Sequence, residues 1–202
     1  MFNETRKVRI LQREATAQAV LEAARAEFER VGFEGANIRS IAARAKVSAG
    51  TVLHHYADKS ELLHAALFDE LDRTLRDALA GQSVGKLEGR LDRLARRVFR
   101  SYQRRPALSR TLLKESLFAG PAWAAKFGAQ TTAVHQAITL WVADAVKAGE
   151  LRRGVDGPLV AMAWLSFFYF ALIAWAQGQH PKPVGLVERL TAQHLDGLRR
   201  KS

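Results

Sequence analysis

Two adjacent histidines, His54 and His55, lie in the stretch "GTVLHHYADKSEL" at residues 50–62. Imidazoles beside a carboxylate are the raw material of a metal site or a proton relay. Their spacing argues against both. Consecutive helical residues point about 100° apart, whereas a helix chelates through i, i+4 pairs. Asp58 is four residues beyond His54, but no third histidine or carboxylate stands at ligand spacing. The chain has no cysteine, which excludes disulfides and thiolate metal centres. No nucleophile–base constellation or phosphate loop is present either, so neither an enzyme nor a metal or cofactor is expected. What remains for the pair is hydrogen bonding to a polar or anionic partner.

Charge points to the same class of partner. The 202 residues carry a net charge of +11, which favours an anionic partner. Residues 1–61 are nearly balanced, with ten Lys/Arg against eight Asp/Glu. Residues 86–114 hold ten Lys/Arg against Glu88 and Asp92. Within them Arg90, Arg93, Arg97, Arg100 and Arg104 follow helical spacing opposite Leu87, Leu91, Leu94 and Val98. This stripe reads as a solvated face, or as an attractor for an anionic ligand or for DNA.

Helices must position these groups, because no stretch alternates long enough for a sheet. The fold class is all-α. A first helix is expected from Arg9 to Val31, ending at Gly32; Asn37 caps a short helix, "IRSIAARA"; "KVS" turns; and Ser48 caps a second, "AGTVLHHY". Two short helices joined across three or four residues form a helix-turn-helix, here at about residues 37–56, whose second helix can enter the DNA major groove. Longer helices follow at Lys59–Ala80 and at about 86–104, 107–118, 121–148, 157–178 and 185–199. The junction between an N-terminal domain, 1–70, and a larger one, 71–202, is placed inside the Lys59–Ala80 helix. Phe28, Phe33, Ile41, Val47, Val52 and Tyr56 are the expected core of the small domain. Arg6, Lys7 and Arg9 form either an arm along the DNA or a solvated tail. Nothing at the N-terminus reads as a secretory signal, and a cytoplasmic address is expected.

Residues 15–63 resemble the DNA-binding domain of the TetR family of bacterial transcriptional regulators. The resemblance is carried by Ala24 and Phe28 before "GF", by "IRSIAARAKVSAGTV", by Tyr56 and by "DKSELL". It implies a groove-facing set of Ser48, Ala49, Thr51, Leu53, His54 and His55, with Asn37 and Gly50 alongside. It implies a phosphate contact for Lys59, and for Arg39 either a guanine edge or a backbone or solvent position. Where the family often has tyrosine, Leu53 and His55 stand here, so base preferences do not carry over unchanged.

Residues 159–176, "LVAMAWLSFFYFALIAWA", are uncharged throughout and just long enough to cross a bilayer. Asp156 and Gly157-Pro158 before them instead suggest the capped start of a helix in a soluble protein, and no membrane partner is expected. The resemblance implies that this helix is buried both against a ligand pocket and against a second copy. The last helix, with Leu186, Val187, Leu190, His194, Leu195 and Leu198, would complete a four-helix dimer interface. Tyr102, Phe118, Trp123, Phe127, Trp141, Trp164, Phe167, Phe168 and Tyr169 are candidate pocket residues for an apolar or aromatic effector, although many can be ordinary core. Glu115, His135 and Asp144 are candidate polar anchors. The expected function is a homodimeric, ligand-released repressor on a palindromic operator of double-stranded DNA. The alternative is a DNA-binding regulator or architectural protein without a small-molecule inducer.

Overall fold

The computed structural model describes residues 2–81, 84–116 and 120–200. Among them are nine helices: α1 (Phe2–Gly35), α2 (Ile38–Ala45), α3 (Ala49–His55), α4 (Lys59–Ala80), α5 (Leu87–Arg104), α6 (Pro106–Ser116), α7 (Pro121–Lys147), α8 (Gly157–Ala176) and α9 (Pro183–Asp196). The only β pairing among the described residues is an isolated bridge between Leu151 and Arg199. The contacts divide the chain into two compact units, Met1–Glu70 with Arg110–Phe118, and Leu71–Ser109 with Ala119–Ser202. Residues 110–118, read from sequence as part of the larger domain, cluster with the first unit.

In the first unit, apolar periodicity becomes a closed core. Val20, Leu21, Ala24 and Phe28 of α1 are buried with Ile41 and Ala42 of α2, Val52 of α3 and Leu62, Leu63 and Ala66 of α4. Phe33, Val47 and Tyr56 are only half-buried at its rim. Gly32, at φ 74, interrupts α1, a conformation glycine adopts without a Cβ clash. The helix begins earlier than expected: Arg6, Lys7 and Arg9 are exposed on it, so they are not an unstructured tail.

In the second unit, α5, α7, α8 and α9 pack around Leu91, Leu94, Phe99, Ile138, Trp164, Leu172 and Leu195. Asp156 caps α8, its Oδ1 accepting from the Leu159 amide at 3.0 Å. Gly157 packs closely beside it: a Cβ there would lie 3.2 Å from the Thr139 carbonyl oxygen of α7, a tight contact that would push the two helices slightly apart. α8 is long and apolar enough to span a membrane, with a mean hydropathy of 2.0. Its side chains divide sharply: Val160, Ala161, Trp164, Phe168, Ala171 and Leu172 are buried, while Leu159, Met162, Tyr169, Phe170 and Ile173 are exposed.

Candidate nucleic-acid interface

The helix-turn-helix is built from local hydrogen bonds. Asn37 Oδ1 accepts from the Ser40 amide at 2.9 Å, starting α2. Lys46 closes it in the left-handed region at φ 57, its amide bonding back to the end of the helix. Val47 donates to the Ala42 carbonyl, and Ser48 Oγ accepts from the Thr51 amide at 3.0 Å to open α3. Val52 is fully buried and anchors α3. With that side inward, Gly50, Leu53 and His54 are exposed, and Ala49, Thr51 and His55 are half-buried. Arg39 is exposed on α2.

Asn37 and Ser48 thus begin as helix caps; their amide and hydroxyl oxygens already hold backbone N–H groups. The Ser48 hydroxyl also lies 2.9 Å from that of Thr51. The rings of His54 and His55 stand edge to face at 5.6 Å and do not converge. Asp58 is occupied elsewhere, its Oδ1 accepting from the Glu61 amide at 2.7 Å to cap α4. Glu61 reaches back to the Ala57 amide at 2.6 Å, a reciprocal arrangement that fixes the start of α4. Partial burial, reinforced by Arg13 and His54, holds the His55 imidazole below the usual histidine range. Arg13 of α1 therefore belongs to the electrostatic surroundings of the recognition helix.

Lys59, expected to contact phosphate, also has partners within the chain. Its Nζ donates to the carbonyls of Phe33 at 2.7 Å, Ala36 at 3.2 Å and Glu34 at 3.4 Å. The ammonium also sits 4.4 Å from the centre of the Phe33 ring. These acceptors match its three N–H donors, so Lys59 fastens the start of α4 to the end of α1. Sequence reasoning missed a second clasp. Glu27, 2% exposed, pairs with Arg30 at 2.8 Å and with Arg44 of α2 at 3.3 Å. The hydrogen bond from Arg30, with help from Ser40 and Arg44, overcomes burial and lowers its carboxyl to about 2. The i, i+3 spacing of Glu27 and Arg30 was the available signal.

In the second unit the candidate pocket aromatics fall into separate groups. Trp164 stacks on Phe168 at 5.4 Å, and Phe168 meets Phe99 at 4.7 Å. Trp123 pairs with Phe127 at 6.3 Å, and Phe167 with His194 at 5.7 Å. Trp141 lies under the Arg90 guanidinium at 4.6 Å. Burial pushes the Tyr102 hydroxyl up, with Tyr169 adding to it, and the Tyr169 hydroxyl is 3.0 Å from that of Thr131. Phe118 lies outside the described residues. The buried Trp164 Nε1 has no acceptor among the described residues.

The candidate polar anchors have partners within the chain. Glu115 accepts from Ser60 Oγ at 3.0 Å within the first unit. His135 Nε2 is 3.1 Å from the Pro158 carbonyl, joining α7 to the start of α8. Asp144 faces Arg90 at 3.6 Å. Arg90 leaves the arginine stripe for the same reason: it is 8% exposed, held between Trp141 and Asp144, while Arg93, Arg97, Arg100 and Arg104 remain exposed.

Comparison with known proteins agrees with this geometry. The family described as "Bacterial regulatory proteins, tetR family" matches residues 20–66, which include the whole helix-turn-helix. The transcriptional repressor KstR of Mycobacterium tuberculosis is 30% identical over 162 residues, covering 77% of this chain and 69% of that protein. KstR of Mycolicibacterium smegmatis is 34% identical over 104 residues, and the match spans half the length of each protein. A TetR transcription regulator from Haloarcula marismortui shares the fold with a TM-score of 0.74 at 19% identity, covering 92% of this chain and 98% of that one. The chain belongs to the TetR family, whose members are DNA-binding transcriptional regulators and not enzymes.

Proposed function

We propose that the protein is a homodimeric repressor whose α3 reads a palindromic operator and whose second unit takes up an apolar or aromatic effector that releases it. The observation that carries the reading is the division of α3, with Val52 locked in the core and Leu53 and His54 presented to solvent. Leu53 offers apolar contact to a thymine methyl, His54 and Arg39 offer donors to base edges, and Gly50, Thr51 and His55 lie close enough to the helix surface for backbone phosphates. The two clasps keep α1, α2 and α4 fixed around α3, which favours one docking angle.

The exposed stripe of α8 supports dimerisation. Leu159, Met162, Tyr169, Phe170 and Ile173 are 42–61% exposed on a helix with no charged side chain, and a second copy laid on this face would cover them. Two recognition helices then match two half-sites, giving a palindromic operator. The unpartnered Trp164 N–H supports a pocket in the second unit, offering one donor to an effector otherwise held by aromatic rings. Effector and operator would favour different arrangements of the dimer, and release cannot exceed that difference in affinity. A DNA-binding regulator works in the cytoplasm.

Selecting bound duplexes from a random DNA pool tests the reading. The expected product is a palindrome, with Arg39→Ala and Leu53→Ala each altering preference at defined positions in both half-sites. Recovery of sequences with no shared motif, or of an asymmetric single site, counts against it.

A further inference from the structure

The first helix runs well past the core it belongs to. Every residue from Arg6 to Ala15 is exposed, and Val20 is the first buried residue of α1 among the described side chains. These ten helical residues extend over about 15 Å. A helix of that length gains nothing from the core and is marginal in water, so its surface is open to an external partner. It carries Arg6, Lys7, Arg9 and Arg13 against Glu14. None of the four cations has an ion pair or a side-chain hydrogen bond among the described residues.

Helical geometry sorts these charges. At about 100° per residue, Arg6, Arg9 and Arg13 fall within about 60° of one another, whereas Lys7 shares a different face with Glu14. Val20 and Ala24, both fully buried, project from the arginine side. The side of α1 that packs on the core is therefore continued, before the core begins, by three arginines. Arg13, the closest of the three to Val20 in sequence, lies near enough to the His55 imidazole of α3 to oppose its protonation. The stripe thus starts beside the recognition helix and runs away from it along α1.

We infer that Arg6, Arg9 and Arg13 form a rigid helical arm that grips the phosphate backbone of the duplex entered by α3, beyond the bases that α3 reads. The inference rests on the operator reading proposed above for α3. Charge selects the partner: unpaired guanidiniums with no acid among them suit consecutive phosphates, to which each fork can donate twice. The three span about 10 Å of helix, comparable with about three phosphates spaced 3.4 Å apart along one strand. Shape selects the position. A helix about 10 Å across cannot enter a minor groove about 6 Å wide, so the arm lies on the backbone and adds affinity without reading bases.

Fluorescence anisotropy of the full chain with the duplex recovered from the random pool, between about 0.05 and 0.3 M salt, tests the inference. R6Q/R9Q should reduce the salt slope by roughly 1.8, about 0.9 for each phosphate lost, and weaken binding at least about fivefold near 0.15 M. Base preference should stay the same. K7Q removes a charge from the other face and should leave slope and affinity unchanged. Gln12→Pro keeps every charge but breaks the helix between Arg9 and the core, and should cost about as much affinity as R6Q/R9Q. Circular dichroism establishes that the glutamine variants retain their helices. An unchanged slope in R6Q/R9Q, an equal loss per charge in K7Q, or full affinity in Gln12→Pro overturns the arm and leaves the operator reading standing. A pool that yields no bound duplex overturns both.

Discussion

The Lys59 ammonium lies 2.7 Å from the Phe33 carbonyl oxygen, so the first residue of α4 holds the last turn of α1. A lysine so engaged contributes to folding even when no DNA is present. Lys59→Ala is expected to lower the unfolding free energy by roughly 1–3 kcal/mol, the usual consequence of stranding acceptors of a charged donor. Urea unfolding of the DNA-free protein measures it. Full stability with lost DNA affinity would instead assign the ammonium to phosphate alone.

Glu27 makes the joint between α1 and α2 sensitive to acid. Its folded carboxyl titrates near 2, below the usual value of 4.5, so its stabilisation is complete above 4.5 and disappears as pH falls towards 2. Glu27→Gln should lower stability at neutral pH by roughly 1–3 kcal/mol and flatten the pH dependence in that window. Thermal melts between pH 2 and 6, about the range in which carboxylates titrate, compare the two proteins. Parallel curves would show that Glu27 contributes nothing to the acid transition.

The proposed phosphate contact of His55 predicts a coupling of DNA binding to protons in the opposite sense. Burial, Arg13 and His54 keep its free imidazole below the usual range, whereas a phosphate placed beside it favours the charged form. Binding then takes up protons, and affinity should rise as pH falls from about 7.5 to 5.5, by less than tenfold per unit for one group. Fluorescence anisotropy across that range should give a slope that His55→Gln removes. If the slope survived, the proton would belong to another group, His54 being adjacent.

The apolar stripe of α8 predicts the oligomeric state. Phe170 is 61% exposed there, and Phe170→Glu should place a charge in the proposed seam. Sedimentation at micromolar concentration is expected to show dimers for the parent and monomers for the variant, with palindromic DNA binding lost in step. An unaltered dimer would move the interface off this face.

The helix-turn-helix was legible because its signals are local. Asn37 and Ser48 announce helix starts, and Ile41 and Val52 show which side turns inward. Lys59 was legible as a cation but not as a clasp, because its acceptors are backbone carbonyls 23–26 residues away, and carbonyls leave no mark on side-chain patterns. Arg90 shows the same limit. Helical spacing put it with the exposed arginines, yet Trp141 and Asp144 draw it inward from another helix. Aromatic content marked the candidate pocket, but the sequence could not separate the Trp164–Phe168 stack from Trp123–Phe127, since that division depends on how α5, α7, α8 and α9 pack.

The grouping of residues 110–118 with the N-terminal unit bears on how the protein is made. Leu112 is buried there, and Glu115 reaches back 55 residues to Ser60. Residues 1–70 leave the ribosome first, yet the DNA-reading unit is not complete until the polypeptide has grown by more than forty further residues. At bacterial rates of synthesis that interval is of the order of several seconds. During it the nascent unit lacks one wall, and a terminated fragment ending near residue 70 would never acquire it.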